Sequence, residues 1–193
     1  MTNFKVVDNK MNFLNKGEVS VIENFLPITL LDKVHGYVTK NFHEFCWRPN
    51  AGVWDPGLTL GSSAIMVMEL DALKEELAET CLNILGINTE IGLSLPHPMF
   101  YDAPIGSYVN WHSEEVPLSI SVYLNELWRR EWGGLFLYEK DETIHGVVPK
   151  FNRAVISGPG APHAVTTINP VADNHRYSIQ LFFTEKEHHE QSS

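Results

Sequence analysis

The chain has 193 residues, 44 % of them hydrophobic, and a formal net charge of −10. Its length and apolar fraction favour one globular domain rather than a disordered chain. The negative charge argues against nucleic-acid binding, which requires a basic surface, and no apolar run approaches the roughly 20 residues of a membrane helix. With two cysteines, no CxxC motif and no secretory signal at the N-terminus, the expected location is the cytoplasm.

The N-terminal half contains one strand pattern and two helical patterns. Val19 to Ile22 is the predicted strand, and a first helix is predicted to open at Pro27, because proline suits a first turn. A second helix is predicted after Asp71 as N-cap, with Gly86 closing it. Between the helices, residues 46–61 lose all periodicity. This aromatic loop either forms part of a substrate site or packs its tryptophans on the core.

From about residue 91 the chain changes to short strands separated by glycine and proline turns. The segments 118–125 and 176–183 alternate strictly, each with one apolar and one polar face. The polar faces carry Ser119, Ser121, Tyr123 and Asn125 in the first segment and Arg176, Ser178 and Gln180 in the second. Strands of this kind after N-terminal helices predict a small β-barrel or a double-sheet jelly roll. Both polar faces are expected to point inward and line a polar pocket.

Three residues suggest a metal site on these strands. His112 and Glu114 lie two residues apart at the entrance of the first alternating strand, and His163 follows a proline turn farther along the chain. Two imidazoles and one carboxylate form the facial triad of non-haem Fe(II) oxygenases. Glu115 is an alternative carboxylate ligand, and His175 is a distant alternative to the histidines.

The order of several motifs carries a family resemblance. The span from Tyr101 to Phe183 resembles the 2-oxoglutarate- and Fe(II)-dependent dioxygenases of the prolyl-hydroxylase type. Its matching blocks are YDAPIGSYVNWHSE, SVYLNELWRREWGGLFLY, VPKFNRAVISGPGAPHAV and RYSIQLFF, and VIENFLPITLLDKV upstream is similar to the family's entry segment. The resemblance implies a mainly β protein with N-terminal helices and a double-stranded β-helix (jelly-roll, cupin-like) core. We expect a single domain over residues 1–193, with an entry part to about residue 90 and the core over about 91–184.

The resemblance also implies roles for individual residues. His112, Glu114 and His163 would hold Fe(II), and Arg176 would pair with the distal carboxylate of 2-oxoglutarate, which a guanidinium suits by its two-pronged geometry. Further cofactor-pocket candidates are Tyr123, Ser178, Tyr101 and Tyr108, and the substrate-side candidates are Trp54 and Trp111. The chain departs from close relatives of the prolyl-hydroxylase type in having H-x-E where they usually have H-x-D, and in a longer interval between His163 and Arg176.

The implied reaction couples oxidation of 2-oxoglutarate by O2, with release of succinate and CO2, to hydroxylation of an unactivated C–H bond. Ascorbate is a candidate additional cofactor. The substrate is expected to be of amino-acid type, either a free small molecule or a peptidyl residue such as proline, and desaturation or ring closure stays an alternative outcome. Other interpretations of the sequence are a non-catalytic cupin-like module that binds a metal or ligand, and an oxygen-sensing protein hydroxylase.

Overall fold

The computed structural model describes residues 15–44, 46–48, 63, 65–88, 92–95 and 97–185, with the backbone alone for 46–48. Its helices are α1 Ile28–Lys40 and α2 Lys74–Ile84, and its strands are β1 Val19–Ile22, β2 Cys46–Arg48, β3 Ile65–Glu69, β4 Leu93–Ser94, β5 Met99–Ala103, β6 Val109–His112, β7 Leu118–Tyr123, β8 Phe136–Lys140, β9 Thr143–Val147, β10 Ala154–Ser157, β11 His163–Val165 and β12 Arg176–Glu185. None of the helices in this part of the chain is long and apolar enough to cross a membrane.

The strands form two antiparallel sheets. The larger has the order β1-β10-β7-β12-β5-β3-β2, with β4 paired to β12, and the smaller has the order β6-β11-β8-β9. Successive strands from β5 to β12 are divided between the sheets, β5, β12, β7 and β10 in one and β6, β11, β8 and β9 in the other. This winding is the double-stranded β-helix, and the predicted mainly β jelly roll with N-terminal helices is confirmed.

Both helices pack on one face of the larger sheet. The main core joins Leu30 and Val34 of α1 and Leu77 and Cys81 of α2 to the apolar faces of β7 and β12. Ile120, Val122, Ile179 and Leu181 of those strands are at most 1 % exposed. Each such side chain contributes about 1.5–3 kcal/mol on full burial. Since side chains alternate along a strand, the polar faces of β7 and β12 point away from the helices, toward the smaller sheet.

The ends of α2 show one prediction that is wrong and one that is confirmed. Asp71 is not the N-cap: it begins a 3-10 turn over Asp71–Leu73, and the helix starts at Lys74 without a side-chain cap. The buried Leu70 fixes this turn, because its carbonyl oxygen accepts a hydrogen bond from the Leu73 amide. Gly86 closes the helix at φ +65°, and the Ile87 amide donates to the Leu82 carbonyl, which is the Schellman pattern.

Candidate metal centre and co-substrate pocket

The three predicted metal ligands meet at the mouth of the jelly roll. His112 ends β6 and His163 begins β11, and the two residues are direct cross-strand partners. Glu114 follows β6 in the chain, and its Oε1 lies 3.6 Å from Nε2 of His112 and 3.8 Å from Nε2 of His163. The ligand atoms of the three residues all lie within 4.8 Å of one another. The fold therefore assembles a facial set of two nitrogens and one carboxylate.

Hydrogen bonds fix which nitrogen of each imidazole faces the centre. Nδ1 of His112 donates to the Asn110 carbonyl at 2.8 Å, and Nδ1 of His163 donates to the Ala161 carbonyl at 2.8 Å. A carbonyl can only accept, so Nδ1 carries the proton and Nε2 keeps its lone pair. The Phe136 ring stacks on His163 with the centroids 5.0 Å apart, which limits rotation of that imidazole.

The local electrostatics favour the protonation states that a metal requires. Burial raises the pKa of Glu114, but the neighbouring His112, His163 and Ser119 outweigh it and leave the pKa below its ordinary value. Burial lowers the pKa of His163, and the proximity of Glu114 only partly offsets this effect. An ionised Glu114 beside a neutral His163 suits the binding of a non-haem Fe(II) ion.

The alternative ligands do not belong to this cluster. Neither Glu115 nor His175 contributes an atom to it, and Nδ1 of His175 instead lies 2.6 Å from the Asp102 carboxylate. Glu69, Asp71 and His97 form another group that satisfies the same distance limit, but all three residues are exposed.

A pocket extends from the triad between the two sheets. The polar faces of β7 and β12 line it, so the predicted inward orientation is confirmed. Its lining includes Tyr101, Tyr108, Ser121, Tyr123, Arg176 and Gln180.

Arg176 is a buried cation on the wall of this pocket. It is 6 % exposed, and its Nη1 donates to the Gly134 carbonyl at 3.0 Å. Within the described ranges its Nε has no hydrogen-bond partner, and Arg176 forms no ion pair there. Burial lowers the pKa of Arg176, and the adjacent Tyr123 opposes that effect only in part. A buried guanidinium without a carboxylate calls for an anionic partner, which 2-oxoglutarate would provide.

The predicted Gly133-Gly134 turn has a direct function in placing this arginine. Gly133 has φ +70°, and a Cβ there would lie 2.0 Å from the Thr167 carbonyl oxygen. Gly134 has φ +64°, and a Cβ there would lie 3.4 Å from Cδ of Arg176. Glycine at both positions thus lets this turn adopt positive φ angles and pack closely on Thr167, and the Gly134 carbonyl in it accepts from the guanidinium.

The remaining predicted site residues differ in their position. Tyr101, Tyr108 and Tyr123 line the pocket, whereas Ser178 is fully buried and its hydroxyl accepts a hydrogen bond from Nε2 of Gln180 at 3.0 Å. Trp111 is 45 % exposed on β6 and is not among the pocket-lining residues. Trp54 lies outside the described residues, as does most of the predicted aromatic loop.

Gln180 is a pocket residue that the sequence analysis did not select. Its Oε1 accepts a hydrogen bond of 2.6 Å from the Ser121 hydroxyl, so it links the polar faces of β7 and β12. The available signal was its position on the polar face of the last strand, four residues after Arg176.

Comparison with known proteins relates the strands around this site to one family. Residues 99–184, a little under half of the chain, match the model of the 2OG-Fe(II) oxygenase superfamily. This segment is similar to the 2OG-Fe(II) oxygenases. The match covers β5 to β12 apart from the last residue, and with them all three clustered ligands. The predicted class, a 2-oxoglutarate- and Fe(II)-dependent oxygenase, is thereby confirmed, and the family implies both Fe(II) and 2-oxoglutarate.

Several solved structures are similar to most of the chain. A prolyl-4-hydroxylase from Pseudomonas putida is 20 % identical, with a TM-score of 0.66 over 89 % of this chain and 94 % of the other. A prolyl hydroxylase from Trichoplax adhaerens, in complex with a hypoxia inducible factor peptide fragment, is 20 % identical, with a TM-score of 0.63 over 91 % and 87 %. HygX from Streptomyces hygroscopicus, with iron bound, is 11 % identical, with a TM-score of 0.58 over 88 % and 82 %. At these identities the likeness establishes the fold. No curated protein sequence matches the chain.

Proposed function

We propose that this protein is an Fe(II)- and 2-oxoglutarate-dependent hydroxylase acting on an unactivated C–H bond of an amino-acid-type substrate. The observation that carries the proposal is a pair of sites in one pocket: a histidine–glutamate–histidine cluster, and a buried arginine with no carboxylate partner among the described residues. A dicarboxylic 2-oxo acid matches both sites, because one end can chelate a metal and the other can accept from a guanidinium.

Each residue of the pocket has a proposed role in that arrangement. His112, Glu114 and His163 would hold Fe(II), with their protonation states set by the hydrogen bonds and burial described above. Arg176, together with the Tyr123 hydroxyl, would bind the distal carboxylate of 2-oxoglutarate. The third donor assigned to that carboxylate, Ser178, stays a prediction: its hydroxyl accepts from Gln180 and can still donate, but Ser178 is not among the described residues that line the pocket.

Bound iron and 2-oxoglutarate would supply the oxidising chemistry, in which O2 is consumed and succinate and CO2 are released. The protein supplies ligation, orientation and exclusion of water. The low exposure of the His112 and His163 side chains, 3 % and 7 %, limits access of solvent to the centre. Ascorbate would serve only to keep the iron reduced.

For the substrate we propose an amino-acid unit, free or within a peptide. Support for a peptide comes from the similar prolyl hydroxylases, one of which was solved with a peptide fragment. Incubation with peptide pools and with free amino acids, followed by mass spectrometry for a gain of one oxygen, separates the two sources. A loss of two hydrogens would instead indicate desaturation or ring closure.

The proposal is tested by anaerobic titration with Fe(II) and 2-oxoglutarate, followed by a succinate assay on exposure to O2. We expect a weak visible charge-transfer band and succinate formation, both abolished by His163→Ala. His145→Ala is the matched control, because His145 is an exposed histidine of the same smaller sheet. A wild-type protein with neither band nor succinate would contradict the proposal and favour the cupin-like binding module.

A further inference from the structure

The side chain of Asn125 holds the main chain on both sides of Arg176. Its Nδ2 donates to the carbonyl oxygen of His175 at 2.9 Å, and its Oδ1 accepts from the amide of Tyr177 at 2.8 Å. Asn125 is 6 % exposed, so water does not compete freely for these two bonds. The two backbone groups that flank Arg176 are therefore both bound by one side chain.

This contact extends the pairing of β7 with β12 beyond the last hydrogen bond between their backbones. The last register pair between β7 and β12 is Tyr123 with Ser178, and the Leu124 amide still donates to the Tyr177 carbonyl at 3.0 Å. Beyond Leu124 the chain turns away, and the Asn125 amide group takes the place of a peptide group. The start of β12, which carries Arg176, is thus paired on this side through a side chain.

The chemistry of the contact requires an amide. One atom must donate and the other must accept, and both must be held at the distance that one methylene allows. An aspartate of the same shape would keep the acceptor for Tyr177 but would place a second acceptor against the His175 carbonyl. An alanine would leave both backbone groups without these partners in a buried position.

On the side away from β7, the start of β12 is held by β5. β5 pairs with β12 there, with Ala103 opposite Arg176, and the adjacent Asp102 carboxylate binds the imidazole of His175. With one side set by β5, the position of the Arg176 Cα depends on the Asn125 contact on the β7 side. Its guanidinium then reaches the Gly134 carbonyl at 3.0 Å.

We propose that Asn125 is a positioning residue for Arg176: it fixes the strand so that the guanidinium is aligned for the distal carboxylate of 2-oxoglutarate. This inference rests on the proposed function of the pocket. It predicts a specific defect, in which variants lose the selectivity for a dicarboxylic 2-oxo acid and keep the binding of the 2-oxo-acid end at the metal.

The test compares 2-oxoglutarate with 2-oxopentanoate, which has the same carbon chain without the distal carboxylate. Both dissociation constants are measured anaerobically with Fe(II) present, for the wild type, Asn125→Asp and a control. The control is Asn152→Asp, because Asn152 is 2 % exposed and holds the Leu26 amide and carbonyl, both at 2.8 Å, in the same two-bond manner. Neither Asn152 nor Leu26 is among the described residues that line the pocket.

The selectivity is the dissociation constant for 2-oxopentanoate divided by that for 2-oxoglutarate. We expect Asn125→Asp to lower this ratio by about tenfold, because 2-oxoglutarate binds more weakly. The constant for 2-oxopentanoate should change little. Asn152→Asp should keep the wild-type ratio even where its melting temperature falls, which separates positioning from general stability. A wild-type ratio in Asn125→Asp would overturn the inference.

If Asn125→Asp does not fold, Asn125→Gln is measured instead. It keeps both polar atoms of the amide but lengthens the side chain by one methylene. A reduced ratio in Asn125→Gln supports positioning, and an unchanged ratio overturns it. A wild-type protein that binds 2-oxoglutarate no better than 2-oxopentanoate would remove the role of Arg176 itself. That result would contradict the proposed function. In contrast, a wild type that prefers 2-oxoglutarate and Asn125 variants with the same preference would contradict only the role of Asn125.

Discussion

Replacing Arg176 by methionine should leave the stability of the metal-free protein close to that of the wild type while strongly weakening its affinity for 2-oxoglutarate. Within the described part of the chain, Nη1 of the buried guanidinium donates to Gly134, and its Nε has no hydrogen-bond partner. Exchanging buried charged groups for apolar residues of similar size can stabilise by about 1–4 kcal/mol. Leaving the Gly134 carbonyl without its donor costs about 1–3 kcal/mol. The two ranges combine to a change in the free energy of unfolding between about −2 and +3 kcal/mol, centred near +0.5 kcal/mol, so the melting temperature should move by only about 1–2 °C at the centre of that range.

The affinity, in contrast, should fall strongly. A two-pronged contact between guanidinium and carboxylate contributes roughly 3 kcal/mol, so the dissociation constant for 2-oxoglutarate should rise about 100-fold. At a concentration 100 times the wild-type dissociation constant, the ligand stabilises the wild type by about 2.7 kcal/mol, and this gain should nearly vanish in the variant. Thermal unfolding with chelator alone, and then with Fe(II) and 2-oxoglutarate under anaerobic conditions, measures both effects.

Arg153→Met is the matched control for this experiment. The Arg153 side chain is 19 % exposed, its Nε donates to Glu23 at 2.6 Å, and its Nη1 donates to the Val148 carbonyl at 2.6 Å. Because Glu23 is 43 % exposed, solvent weakens that ion pair, and the total loss should be about 1–2 kcal/mol with no effect on 2-oxoglutarate. The reasoning is refuted if Arg176→Met destabilises the metal-free protein by several kcal/mol or binds 2-oxoglutarate as the wild type does.

Three further predictions concern a turn, a buried thiol and a buried carboxyl group. Gly133→Ala should destabilise the protein by about 3 kcal/mol and lower its melting temperature by about 6–12 °C, because the new Cβ would lie 2.0 Å from the Thr167 carbonyl oxygen at a positive φ. Thermal unfolding measures this change, and a wild-type melting temperature would contradict it. Cys81 is fully buried and burial raises its pKa to about 12, so it should resist iodoacetamide at pH 8 until the protein unfolds, as peptide mass spectrometry can follow. Burial raises the pKa of Asp102 above 3.8 despite the hydrogen bond and charge of His175. The native state then binds more protons than the unfolded chain, so stability falls as the pH rises from 3.8 through the native pKa, and Asp102→Asn should flatten this part of the profile in urea unfolding.

The sequence predicted the parts of the fold where the pattern of apolar and polar residues is clear. Strict alternation identified β7 and β12, because a strand between a core and a pocket must change polarity at every residue. β9 lacked such a signal. Four of its five residues are exposed, and the two-residue turn before it has Asp141 and Glu142 at positive φ, without the glycine that usually marks such a turn.

The site was predictable where residue types are chemically restricted. His112, Glu114 and His163 could be selected because few residue types bind Fe(II), and Arg176 because a carboxylate needs a cation. Gln180 and Asn125 were visible only as members of polar faces. Their roles depend on the register of β12 with its neighbours, and a single sequence does not state that register.

The two faces of β12 make changes of length far more damaging than changes of residue type. Arg176 and Gln180 face the pocket, while Ile179 and Leu181 face the helices. One residue inserted into this strand would exchange the two sets, sending a guanidinium into the hydrocarbon core and isoleucine into the pocket. Insertions before His175 enter a loop instead. Chain-length variation among functional homologues should therefore fall between Ile168 and His175 and be absent from residues 176–183.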